Sequence, residues 1–125
     1  MTETHWYVIT GSPSSGKSKT IDYLAFLGYP VIPEAARILI DCEMSRGKVI
    51  GEIRADEAGF QRRVLQMKVE IEERIAPDRL TFFERGIPDS IAYYQVCGED
   101  VGSVREASGQ RRYGGIFLLD PLPFE

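Results

Sequence analysis

The residues best suited to chemistry are Gly11-Ser12-Pro13-Ser14-Ser15-Gly16-Lys17-Ser18, which satisfy G-x-x-x-x-G-K-[ST] at every fixed position. Gly11 and Gly16 permit backbone angles and a close approach that a side chain would block, so successive N–H groups can point inward at a polyphosphate. Lys17 supplies a mobile charge for the β- and γ-phosphates, and the Ser18 hydroxyl suits Mg²⁺. Lys19 completes the nucleotide-binding stretch. The ligand this pattern predicts is ATP with Mg²⁺; a preference for ATP over GTP is not legible, because the segment that usually grips the base is missing.

A second set of candidates lies where strands are expected to end. In open α/β sheets, ligands bind beyond the carboxyl ends of the strands. Glu34 and Arg37, in Pro33-Glu34-Ala35-Ala36-Arg37, follow the second expected strand. Each has a bland alternative: a carboxylate serving a helix dipole for Glu34, a surface ion pair for Arg37. Glu84 closes the third expected strand, where a Walker B acid holds Mg²⁺ directly or through water. Arg85 beside it carries a planar, permanently charged fork suited to oxyanions. Asp89 is either a substrate contact or the N-cap of the helix that follows.

These residues need elements to hold them. Trp6–Thr10 reads as a central parallel strand, apolar on both faces. A helix from Lys17 or Ser18 to about Leu27 follows the loop, stopped by Gly28 and Pro30. Tyr29–Pro33 reads as a short second strand and Ile38, Leu39, Ile40 and Cys42 as part of a helix. Met44–Ala55 looks like a mobile connection, after which Asp56 caps a long helix running to about Ile75. Phe60, Val64, Met67, Ile71 and Ile75 form its apolar stripe. Gln61, Arg62, Arg63, Lys68, Glu70, Glu72 and Glu73 are expected mostly on the solvated face, with Glu70 and Arg74 as an i,i+4 pair. Leu80–Phe83 is the third strand, Ser90–Val96 a helix, and Gly98–Tyr113 a polar helix or loop over the site whose arginines 105, 111 and 112 are solvated. Ile116–Leu119 reads as a fourth, buried strand.

The 125 residues make one domain, and 43% apolar with 27% charged residues is ordinary for a globular protein. A net charge of −4 argues against nucleic acid as a partner, since a phosphate backbone demands a basic face. Cys42, Cys97 and the single histidine, His5, do not assemble a zinc site. The cysteines are expected reduced. A polar N-terminus and the lack of a long apolar run predict no membrane partner and a cytoplasmic location.

With Gly11 to Ser18, Pro33-Glu34-Ala35-Ala36-Arg37, Phe60-Gln61, Glu84-Arg85-Gly86-x-Pro-Asp89 and Leu118-Leu119-x-Pro-Leu-Pro123 in hand, the chain resembles the small AAA-like ATP-binding domains related to the ribosylnicotinamide kinase domain of the bacterial NAD regulator. The strand-tip acid followed by arginine is also similar to that of deoxynucleoside and nucleoside-monophosphate kinases. The resemblance implies a three-layer α/β P-loop NTPase fold with a mostly parallel sheet, its acid-bearing strand near the phosphate-loop strand. It implies Glu34 as acceptor of the proton of an attacking hydroxyl, Glu84 for Mg²⁺, Arg85 for phosphates or substrate, and Gln61 against a nucleobase-like group. Such domains normally continue into an arginine-bearing lid, another strand and a closing helix. The sequence ends at Glu125, so the resemblance implies a truncated or abbreviated member.

The function expected is therefore ATP-dependent phosphoryl transfer to a small nucleoside-like hydroxyl substrate. An ATPase or nucleotide switch, with water as the nucleophile, is the alternative, and a degenerate domain using nucleotide structurally is a third reading. The acceptor's identity and the oligomeric state are not encoded in these motifs.

Overall fold

The computed structural model describes residues 1–12 and 16–120. The central strand β2 (Trp6–Gly11) leads into helix α1 (Lys17–Phe26). A short strand β1 (Thr2–Glu3) precedes them and β3 (Val31–Ile32) follows. Three helices come next: α2 (Ala35–Ser45), α3 (Ile50–Ile53) and α4 (Glu57–Glu73). Strand β4 (Thr81–Glu84) is joined through a 3-10 turn at Ile87–Asp89 to α5 (Ser90–Val96). Then come α6 (Gly102–Ser108), β5 (Arg111–Arg112) and β6 (Gly115–Leu119).

The main sheet has the order β3-β4-β2-β6, and all its pairings are parallel. The acid-bearing strand is thus hydrogen-bonded directly to the phosphate-loop strand, with Ile9 opposite Glu84. β1 and β5 form a separate parallel pair. Because side chains alternate along a strand, Trp6 and Val8 face one way with Phe83, and Ile71 and Ile75 pack on them from the α4 side. Ile9 and Glu84 face the other way, where Ser18 at the start of α1 reaches Glu84. Helices on both faces of a parallel sheet make an α/β architecture consistent with a P-loop NTPase fold.

α4 forms where expected. Asp56 caps it, accepting a hydrogen bond from the Gly59 N–H at 3.1 Å. Phe60 and Val64 are buried against Ala35, Leu39 and Ile53, which fixes the start of α2. Arg63 adds an ion pair to Glu43 of α2 at 2.8 Å. The expected solvated face is different. Gln61, Lys68 and Glu72 are buried: the turn before α5, Ser90 and Tyr113 offer polar partners to Lys68 and Glu72, and Gln61 bonds to Glu57 of its own helix. The expected pair of Glu70 with Arg74 gives way to a hydrogen bond from Gln66 to Glu70 at 3.2 Å.

Three further expectations change. The connection after Met44 contains the short helix α3, anchored by buried Ile53. Residues 98–113 fold into α6 and β5, and Val104 of α6 is buried against Leu65, Ile87 and Tyr94. Arg111 there is an ion-pair partner of Glu72 at 3.8 Å and no solvated arginine. The fourth strand is not buried: Ile116, Phe117 and Leu118 are exposed. β6 is the edge strand with β2 as its sheet neighbour, whereas α1 packs on β2, β3 and β4, so an apolar run that suggested two covered faces lies on an open edge among the described residues.

Candidate functional site

The site begins at the carboxyl end of β2. Gly11 has φ of +151° and Gly16 φ of +88°, angles that residues with a Cβ rarely adopt; this is the physical reason for glycine at both ends of the loop. Pro13, Ser14 and Ser15, assigned to nucleotide binding by the motif, lie outside the described residues. Gly16 is the N-cap of α1 and Lys17 its first residue, so a ligand of the loop would lie at a helix N-terminus, where backbone N–H groups favour an anion. Lys17 is buried, and its Nζ donates to the Ser12 carbonyl at 3.2 Å. Ser18 and Lys19 are exposed.

Ser18 Oγ donates to Glu84 Oε2 at 3.3 Å, so the hydroxyl and the strand-tip carboxylate present two oxygen ligands side by side. That donor set suits Mg²⁺, which takes oxygens and keeps most of its shell for phosphate and water. Among the described residues no group of three or more His, Cys, Asp or Glu side chains assembles a metal site.

Arg85 is the hub. Its backbone N–H donates to the Ile9 carbonyl at 2.9 Å, continuing the β4–β2 ladder one residue past the strand. Its φ is +66°, the one positive value among the described non-glycine residues. The side chain is 13% exposed and pairs with Glu34 Oε2 through Nε at 3.3 Å and with Asp89 Oδ1 through NH1 at 3.8 Å. NH2 donates to the Gly11 carbonyl at 3.0 Å. One guanidinium thus ties the start of the phosphate loop to the start of α2. Glu34 is the N-cap residue of α2, but its side chain makes no capping hydrogen bond; its carboxylate is committed to Arg85 instead.

Asp89 does not cap α5 through its side chain. Its carboxylate accepts from Thr10 Oγ1 at 2.6 Å and from the Gly86 N–H at 2.7 Å, because the 3-10 turn before α5 brings it back over the end of β2. Arg37 is exposed and pairs with Asp41 at 3.7 Å, the surface ion pair that was its alternative. Gln61 is buried, and its Nε2 donates to Glu57 Oε1 at 3.2 Å.

Two recesses meet at Glu34. An open cleft of about 490 Å³ is lined by Ser18, Glu34, Arg37 and Glu84 among others. A smaller cavity of about 100 Å³ is lined by Glu34, Arg54, Gln61, Lys68, Arg85 and Tyr93 together with small apolar groups. Glu34 therefore borders both the cleft of Ser18 and Glu84 and the cavity that holds Gln61. Sequence reasoning missed Thr10, Arg54, Lys68 and Tyr93. Only Lys68 left a usable signal: it lies four residues after Val64, on the margin of the apolar stripe of α4.

A family model described as an AAA domain matches residues 6–125. The chain belongs to the AAA-domain family. Its phosphate loop, the parallel sheet and the strand-tip acid are in keeping with that membership, which carries nucleotide binding with it. No curated protein matches the sequence. No described helix of this AAA domain is long and apolar enough to cross a membrane.

Proposed function

We propose that this AAA domain is an ATP- and Mg²⁺-dependent phosphotransferase whose acceptor is a small nucleoside-like hydroxyl compound. The observation that carries the reading is Glu34: a carboxylate held by Arg85 at the junction between the cleft of Ser18 and Glu84 and the cavity of Gln61. A base for an attacking hydroxyl belongs at such a junction, within reach of acceptor on one side and phosphate on the other.

In the mechanism that follows, Lys17 and the N-terminus of α1 neutralise the phosphates of ATP, and Ser18 and Glu84 would hold Mg²⁺, which supplies further charge neutralisation when bound. The acceptor lies along the cavity wall, with Gln61 against its base-like portion. Its hydroxyl gives a proton to Glu34 as its oxygen forms a bond to the γ-phosphorus, while the bond from that phosphorus to the leaving oxygen of ADP breaks. Arg85 keeps the Glu34 carboxylate in place through Nε–H, which is positioning of the kind phosphoryl transfer mainly requires.

The cavity assignment is tested by Gln61→Ala. The Michaelis constant for the acceptor is expected to rise about tenfold, the worth of one hydrogen bond to a buried polar group, with that for ATP unchanged. Equal constants for parent and variant would remove the cavity from acceptor recognition.

A further inference from the structure

The buried amine of Lys68 has no part in that mechanism, yet the fold goes to some length to accommodate it. Lys68 lies in α4 and is 7% exposed. Its Nζ donates to the Gly86 carbonyl at 3.1 Å and to Ser90 Oγ at 2.8 Å. Both acceptors are neutral, and a buried ammonium bonded to neutral oxygens is a costly arrangement that an apolar side chain of similar shape avoids. Burial pushes its pKa down to about 8, Arg85 pushes the same way, and the carboxylates of Asp89, Glu34 and Glu72 oppose the change. Stability alone therefore gives no reason for a lysine here.

The two acceptors suggest one. Gly86 and Ser90 are the two ends of the turn that begins immediately after Arg85, and the amine spans them. The turn is held from a different element as well: Tyr113 Oη accepts from the Ile87 N–H at 3.1 Å and donates to Glu72 Oε2 at 2.5 Å. Space is tight on that side, since a Cβ on Gly86 would lie 2.9 Å from Tyr113 Oη and 3.0 Å from Val8 Cγ2. Within the turn, Asp89 accepts from the Gly86 N–H. Arg85, just before this turn, has φ of +66°, a region that side-chain-bearing residues enter rarely and at a cost the surroundings must offset.

We infer that Lys68 is a positioning residue: by joining the Gly86 carbonyl to the Ser90 hydroxyl, it holds Arg85 in the left-handed conformation that directs the guanidinium to Glu34 and the Gly11 carbonyl. Its kinetic consequence rests on the phosphotransferase reading; its structural consequence does not.

The test uses Lys68→Met, Lys68→Gln and Arg85→Ala, with two readouts. The first is turnover. Lys68→Met is expected to lower kcat about tenfold or more, in line with the sensitivity of positioned chemistry to small displacements, and to raise KM for ATP, because Arg85 also holds the Gly11 carbonyl at the start of the phosphate loop. On the Arg85→Ala background it is expected to lower kcat no further, because residues acting through one another are non-additive. A full additional loss in the double variant would overturn the inference. The second readout is exchange of the Arg85 Nε–H with water, followed by ¹⁵N NMR, which needs no turnover. Exchange at least tenfold faster in whichever lysine variant folds supports positioning, and the parent rate in that variant overturns it. A parent without acceptor-dependent turnover would remove the phosphotransferase reading alone, since the exchange measurement still decides the role of Lys68.

Discussion

Lys17→Ala is expected to lower the affinity for Mg·ATP by on the order of 100-fold or more while leaving the fold intact. The lysine occupies the first position of α1 behind a glycine N-cap, and among the described residues its buried ammonium donates to a neutral carbonyl, that of Ser12. Phosphate oxygens are far stronger partners for that charge than a peptide oxygen. Truncating one member of a buried charged pair costs about 2–5 kcal/mol, and each 1.4 kcal/mol is about tenfold in affinity. Among the described residues the folded state loses the bond to Ser12, about 1 kcal/mol. Calorimetric titration with Mg·ATP beside thermal unfolding separates the two quantities. Unchanged affinity would place the nucleotide elsewhere.

Glu34→Gln is expected to slow phosphoryl transfer by roughly 10²- to 10⁴-fold, the usual worth of a general base, without altering affinity for ATP. The amide preserves size and a carbonyl oxygen for the Arg85 Nε–H, so the arginine keeps a partner while the proton acceptor is lost. The pairing shapes the control as well. Glu34→Ala would leave Arg85, only 13% exposed, with its bond to Gly11 and its ion pair to Asp89, and so would perturb the phosphate loop too. Single-turnover rates in the glutamine variant, measured at saturating ATP and acceptor, check the prediction; a rate equal to the parent would exclude Glu34 as the base.

The parts of the site that follow from local chain chemistry could be read in the sequence. The glycines at 11 and 16 answer to positive φ, Asp56 to a helix N-terminus, and the carboxylate at the end of β4 to the strand-tip rule that placed Glu84 beside Ser18. The parts that depend on which elements meet could not. Lys68 and Glu72 look like solvated helix residues until α5 and Tyr113 cover them. Asp89 reads equally as a cap and as a substrate contact until the 3-10 turn carries it to Thr10. Ile116 to Leu118 look like core until the sheet order makes β6 an edge. In each case the local pattern was compatible with two environments, and long-range packing chose between them.

Acceptor dependence of ADP release from Mg·ATP separates a phosphotransferase from an ATPase. The chain is incubated with Mg·ATP alone and with a panel of nucleosides that includes nicotinamide riboside, with Lys17→Ala as the blank. The phosphotransferase reading predicts that one class of hydroxyl compound raises ADP release well above the level without acceptor, in equal amount with a phosphomonoester product, and that Lys17→Ala abolishes the increase. ADP release that is steady, sensitive to Lys17→Ala and indifferent to every hydroxyl compound would contradict it and make water the nucleophile.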